Sequence, residues 1–199
     1  MPLRKTDLSL PDAKLDFIEQ FYTPDASDRL FTELLEGVAW QQENIRLYGK
    51  THLVPRLTAW YGDAGCCYAY SGLRHAPIPW IPVLLVIRNR IKRITGVHFN
   101  SVLLNLYRDG RDSMGWHNDA ERELGENPVI ASVSFGGSRR FLLRHNNGTH
   151  KGAVTLTHGS LLLMGGTTQH YWQHRVPKTR QTVSPRINLT FRVIRLPDF

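Results

Sequence analysis

The chain has 199 residues, 41% of them apolar and 21% charged, which excludes a disordered chain and suits one domain with a substantial core. Lys and Arg number 25 against 17 Asp and Glu, a net charge of +8, and such an excess favours a polyanionic partner, with nucleic acid the obvious candidate. Cys66 and Cys67 are adjacent, poor geometry for a mutual disulfide and unlike zinc-site spacing. No apolar run is long enough to span a bilayer and no signal-peptide pattern is present, so the expectation is a soluble intracellular protein with no membrane partner.

Residues 1–22 are mixed and proline-punctuated. Thr23-Pro24 then supplies a cap and a first helical position, and Leu30, Phe31, Leu34, Leu35 and Val38 are predicted to form the buried face of that helix. From 40 to 75, short polar and aromatic pieces alternate with Gly49, Gly62, Gly65 and Gly72, which predicts hairpins and exposed loops rather than continuous core. A second helix is expected from about Trp80, burying Val83, Leu84, Ile87, Ile91 and Ile94 and stopping at Gly96. After Phe99 the pattern becomes short strands between turn residues: 102–107, 130–134, 141–144, 154–156, 161–164, 171–173 and 187–194. The fold class expected is mainly β with flanking helices (α+β), built on a jelly-roll core, the double-stranded β-helix. A boundary near residue 98 separates an N-terminal half, 1–98, from the core, 99–199, within one compact unit.

Chemistry concentrates in the second half. His117-x-Asp119 places two ligating side chains on one face of an extended segment, about 6 to 7 Å apart. His174 follows in the aromatic-rich segment His170-Tyr171-Trp172-Gln173-His174. Two histidines and a carboxylate form the ligand set of non-haem Fe(II) oxygenases, because they leave adjacent coordination positions open for an oxidant. In the final strand Arg186, Asn188, Thr190 and Arg192 share one face and Ile187, Leu189 and Phe191 the other. An arginine suits bidentate capture of a carboxylate. The two arginines are about 20 Å apart along an ideal strand, so one is expected to clamp an acidic co-substrate and the other to serve nearer the metal.

At these residues the chain resembles the AlkB family of Fe(II)- and 2-oxoglutarate-dependent dioxygenases, whose pattern is H-x-D, a distal His, and R-x-N-L-T-F-R. The resemblance runs from about Tyr48 to Ile194 and includes Asn105-Leu106-Tyr107, Arg108-Asp109-Gly110, Glu121-Arg122-Glu123-Leu124 and Ile130-Ala131-Ser132-Val133-Ser134-Phe135-Gly136. It is nearest to the branch that repairs alkylated bases in duplex DNA. The resemblance implies Fe(II), 2-oxoglutarate and O2 as cofactor and co-substrates, with His117, Asp119 and His174 holding iron. It further implies Arg186 pairing with the distal carboxylate of 2-oxoglutarate, and Asn105, Tyr107, Asn188 and Arg192 completing that pocket. The activity implied is oxidative removal of N-alkyl groups from bases of the 1-methyladenine and 3-methylcytosine type, releasing formaldehyde and succinate.

A base inside a duplex must be flipped out before iron can reach it. Residues 1–98 would accordingly carry a nucleotide-recognition lid, in which Tyr68 and Tyr70 match positions contacting the flipped base; Glu121 matches an acidic substrate contact. Leu47-Tyr48-Gly49-Lys50 aligns with a tip that bears an apolar aromatic wedge in the duplex-preferring branch. Here the wedge is Tyr48, which can stack as Phe does but carries a hydroxyl that is costly to bury. Lys50, Arg56, Arg139, Arg140, Lys178 and Arg180 are candidate phosphate contacts. His52, His75, His98, His145, His150 and His158 are expected to be structural or on the surface, and the resemblance prefers His174 over His170 as ligand, because its spacing to Arg186 fits the family pattern. The partner expected is alkylated DNA, single-stranded and duplex, bound by a monomer in a bacterial cytoplasm or a eukaryotic nucleus. RNA demethylation by the same chemistry is the alternative, with a non-catalytic nucleic-acid binder behind it.

Overall fold

The computed structural model describes residues 3–47, 50–66, 68–70 and 73–195. Two short strands, β1 (Thr6–Asp7) and β2 (Lys14–Ile18), precede helix α1 (Pro24–Gly37). The Thr23 side chain accepts the Ala26 N–H and Pro24 opens the first turn, which satisfies one of the free amides of the helix end. Next come β3 (Asn44–Leu47), β4 (Lys50–Leu53), β5 (Leu57–Gly62), β6 (Tyr68–Tyr70) and β7 (Leu73–His75). Helix α2 (Pro82–Thr95) ends on Gly96, whose φ of 72° lets its N–H return to the Lys92 carbonyl. The remaining elements are β8 (Ser101–Tyr107), β9 (Met114–His117), a 3-10 turn at Arg122–Leu124, β10 (Ile130–Gly136), β11 (Arg139–His145), β12 (Lys151–Leu156), β13 (Ser160–Gly165), α3 (Thr168–Tyr171), β14 (Trp172–Val176) and β15 (Arg186–Arg192).

Seven strands form a major antiparallel sheet in the order β1-β2-β13-β10-β15-β8-β5, and four form a minor sheet, β12-β11-β14-β9. The hairpins β3-β4 and β6-β7 stand apart as separate two-stranded sheets. Alternation along the central strands sorts side chains between two environments. On one face of the major sheet Val102, Leu104, Val133, Ile187, Leu189 and Phe191 pack with Leu34 of α1 and Leu84, Ile87 and Ile91 of α2. Each such buried side chain contributes about 1.5–3 kcal/mol of transfer free energy. The opposite face looks toward the minor sheet, where apolar packing through Phe141, Leu156, Met164 and Val176 gives way to a polar cavity. This is the expected mainly β jelly roll. No helix among the described residues is long and apolar enough to cross a membrane.

Four expectations need correction. Leu35 is 39% exposed and Ile94 41% exposed: Leu35 lies one step off the α1 stripe, and Ile94 sits in the last turn of α2, where periodicity names a face but not how far the covering partner extends. Residues 57–62 are not loop. Thr58, Ala59, Tyr61 and Gly62 are buried because β5 pairs along β8 from Leu57↔Leu106 to Gly62↔Ser101, a long-range pairing that overrides the local glycine signal. Tyr171 closes the turn of α3, and the strand expected there runs instead from Trp172 to Val176. The mixed N-terminal stretch also contains β2, which pairs with β13; β1, β2 and β5 therefore extend the sheet built by the second half.

Candidate metal and co-substrate site

His117 ends β9 and His174 lies in β14, directly opposite in register. Asp119 follows two residues later in the loop leaving β9. Their potential ligand atoms all lie within 4.8 Å of one another. The His117 Nδ1 sits 2.9 Å from the Gly115 carbonyl, an arrangement that assigns the proton to Nδ1 and leaves the Nε2 lone pair for a metal. His174 Nε2 lies 3.7 Å from Asp119 Oδ2. This is not an ion pair: burial, with His117 adding to it, pushes His174 down to about 3, so the imidazole is neutral. Phe141 stacks on the His174 ring at 5.0 Å between centroids and fixes its plane.

Burial alone would raise the Asp119 carboxyl, but the Arg192 guanidinium and the two histidines hold it at about 2. Arg192 Nη2 donates to Asp119 Oδ1 at 2.5 Å, and the Asp119 N–H donates to Gln169 Oε1 at 2.9 Å. The carboxylate is thus ionised and oriented. The neutral His174 imidazole, the His117 ring with Nε2 turned away from its Gly115 bond, and a fixed carboxylate suit a divalent cation.

The other end of β15 is different. Arg186 is 1% exposed and its Nη2 donates to Ser134 Oγ at 2.9 Å, while its Nε and Nη1 have no hydrogen-bond partner among the described residues. Burial, with Arg139 contributing, lowers its pKa to about 10, which leaves it charged at neutral pH. A buried cation with two adjacent open donors calls for a carboxylate. Tyr107 and Asn105 face Arg186 and Asn188 across β8 and β15. Asn105, Tyr107, His117, Asp119, His174, Arg186, Asn188 and Arg192, eight of the residues singled out from the sequence, line one cavity of about 40 Å³.

Residues 14–192 match the family described as the 2OG-Fe(II) oxygenase superfamily. The chain is 44% identical over 179 residues to mouse DNA oxidative demethylase ALKBH2, covering 84% of this chain and 75% of that protein. The chain belongs to the AlkB family of 2OG-Fe(II) oxygenases. Human ALKBH2 matches at 44% identity, with 85% of this chain and 69% of that one covered. Bovine alpha-ketoglutarate-dependent dioxygenase alkB homolog 3 matches at 46%, with 86% of this chain and 63% of that one covered. A solved structure described as "The structure of OsALKBH1" superposes with a TM-score of 0.66 over 96% of this chain and all of that one, at 17% identity, a likeness of fold. As a member of this family the protein is a dioxygenase dependent on Fe(II), 2-oxoglutarate and O2. The cavity fits them: neutral and anionic donors converge at one end, and unpaired buried guanidinium donors wait at the other.

Within this AlkB-family cavity some side chains are already engaged. Asn188 Nδ2 donates to Ser132 Oγ and the Val133 carbonyl, and its Oδ1 accepts from Thr190. Asn105 Oδ1 accepts from Arg56 Nε at 2.6 Å, which leaves the Asn105 amide nitrogen as its donor for a ligand. Two candidate phosphate contacts are therefore corrected. Arg56 is 6% exposed and Arg139 4%, both occupied by internal acceptors, whereas Arg140, Lys178 and Arg180 are exposed. Glu121 immediately precedes the 3-10 turn and is not among the residues lining the cavity. Tyr48 lies outside the described residues, and Tyr68 and Tyr70 are described through the backbone of β6 alone. His145 is buried, with Nε2 3.2 Å from Asp12, and His158 Nδ1 accepts the Gly136 N–H, both structural as expected.

Sequence reasoning missed the supports. Ser132 and Ser134, polar at alternate positions of the otherwise apolar β10, face Asn188 and Arg186, and that alternation was the available signal. Gln169, which holds the Asp119 backbone, had no local signal.

Proposed function

We propose that the protein is an oxidative DNA demethylase acting on bases alkylated at ring nitrogens, of the 1-methyladenine and 3-methylcytosine type. The observation that carries the reading is one cavity holding His117, Asp119 and His174 at one end and the open donors of buried Arg186 at the other, in a chain 44% identical to enzymes named DNA oxidative demethylase. His117, Asp119 and His174 would hold the iron, and Arg186, with Tyr107 and Asn105, would receive the far carboxylate of 2-oxoglutarate. With O2, that pair supplies an oxidant that hydroxylates the N-methyl carbon; 2-oxoglutarate leaves as succinate and CO2, and the hydroxymethyl group as formaldehyde.

The protein's own groups bind and orient. Arg192 holds the Asp119 carboxylate ionised, the Gly115 carbonyl selects the His117 tautomer, and apolar Met114, Leu156 and Val176 line the cavity beside them. The hairpins β3-β4 and β6-β7 form the nucleotide lid in this reading, with Tyr68 and Tyr70 against the flipped base, Glu121 as a polar contact to it and Tyr48 as the wedge. A net charge of +8 supports a nucleic-acid substrate.

The test is incubation of the purified protein with Fe(II), 2-oxoglutarate, ascorbate and matched single-stranded and duplex DNA and RNA oligonucleotides bearing 1-methyladenine, followed by mass spectrometry. Base restoration that requires 2-oxoglutarate is expected on DNA and ranks strand and sugar preference. Restoration on RNA alone would replace the DNA reading with the RNA one. Co-substrate decarboxylation without restoration on any strand would remove the demethylase reading and leave the dioxygenase.

A further inference from the structure

Behind Tyr107 a second buried guanidinium organises the co-substrate end. Arg139 begins β11 and is 4% exposed. It donates to three backbone carbonyls: Nη1 to Asp109 at 3.1 Å, and Nη2 to Asp112 at 2.9 Å and to Pro177 at 2.6 Å. These carbonyls belong to two loops. One, 108–113, leads from Tyr107 toward β9 and His117; the other begins after β14, which carries His174, and ends at Arg186. The loops also touch directly. The Thr179 N–H donates to the Gly110 carbonyl at 2.8 Å, and Gly110 passes so close that a Cβ there would collide with the Thr179 carbonyl oxygen. Arg108 ties the first loop into shape through a two-pronged bond to Asp112, at 2.8 and 2.9 Å.

The guanidinium carbons of Arg139 and Arg186 lie over the same Tyr107 ring, 5.6 and 5.2 Å from its centroid. Three carbonyls take up Nη1 and Nη2 of Arg139, while the nearby Asp112 and Asp109 carboxylates favour its charge. Across the shared ring Arg139 acts on Arg186 as a like charge, and it is Arg186 that has no carboxylate beside it among the described residues, so an anion entering at Arg186 is rewarded. A staple needed only for loop shape would not require that charge beside Arg186.

We propose that Arg139 is a positioning residue that sets affinity for 2-oxoglutarate: it locks the two loops that hold Tyr107 and Arg186 in place and adds a second positive charge behind them. This rests on the Arg186 end being the co-substrate site. Lysine at 139 keeps the charge but, as a point donor, loses the fork that spans three carbonyls; glutamine loses both.

The test uses the full chain loaded with redox-silent Mn(II), with 2-oxoglutarate binding measured by calorimetry for wild type, R139K, R139Q, G110A and R186Q. R139Q is expected to weaken 2-oxoglutarate binding by about tenfold or more, with R139K between it and wild type, while Mn(II) affinity stays within twofold. Amide exchange at Thr179 should accelerate in R139Q. In turnover, KM for 2-oxoglutarate should rise with kcat preserved at saturation, a split that a smaller folded fraction cannot produce. G110A, which forces the loops apart without touching the core charge, should weaken binding in the same direction and carries the test if R139Q does not fold. Wild-type binding in R139Q and G110A together with loss in R186Q would overturn the role of Arg139 alone. Wild-type binding in R186Q would remove the co-substrate reading itself. A fall in kcat at unchanged KM would make Arg139 an ordinary structural residue.

Discussion

At one end of β15, Arg192 donates to Asp119 at 2.5 Å, whereas at the other end Arg186 is 1% exposed and keeps two donors without a partner among the described residues. Both arginines lie on one face of one strand and line one cavity. The difference comes from what each meets. The loop after β9 delivers a carboxylate to Arg192, and the ion pair then serves a metal site by keeping that carboxylate charged. Around Arg186 the neighbours are Ser134, Tyr107 and the cation Arg139, so its counter-charge must arrive from outside. One residue type thus completes a site in one place and defines a demand for a ligand in the other.

The comparison is broken most severely at its anionic member. Asp119→Asn should abolish metal binding and turnover and leave Arg192 without its buried counter-charge, destabilising the fold by about 3 kcal/mol; Mn(II) titration and thermal denaturation read the two effects. Next in size, Arg186→Met should raise the 2-oxoglutarate requirement by about a hundredfold with Mn(II) binding intact. The same change should stabilise the ligand-free protein by about 1–4 kcal/mol, because it deletes an uncompensated buried cation. A lowered melting temperature in Arg186→Met would mean that the guanidinium has a counter-charge in the resting protein.

Arg192→Gln sharpens the contrast from the opposite side. Metal affinity should fall about 10–100-fold through the loss of the group orienting Asp119, with binding of 2-oxoglutarate to the metal-saturated protein much less affected than in Arg186→Met. Equal losses in both measurements would dissolve the distinction between the two ends. The smallest effect is expected from Ser134→Ala, which removes one hydrogen bond to Arg186 worth about 1 kcal/mol and should raise KM for 2-oxoglutarate a few-fold in steady-state assays.

Much of this was readable from local pattern. Period-two alternation put Arg186, Asn188, Thr190 and Arg192 on one face of a strand, and the structure keeps them there because Ile187, Leu189 and Phe191 need the helical core on the other. Where local signal and distant pairing compete, local signal fails. Gly62 lies within a cluster of turn-forming residues, yet it is a buried strand residue because β8 supplies its partners. Arg56 and Arg139 looked like surface charges, since nothing beside them in sequence supplies an acceptor; theirs lie up to 57 and up to 38 residues away.

The chain by itself determined which chemistry was available: two imidazoles and a carboxylate in ligating order, a strand with one polar face, and an excess of positive charge. Those depend on residue type and on periods of two and 3.6, properties carried by a few neighbouring residues. Tertiary structure decided which arginine is neutralised and which is left waiting, which basic residues are buried as staples, and which tautomer His117 presents. Each of these turns on desolvation and on acceptors contributed from distant segments, and they take definite values only once the two sheets close over the cavity.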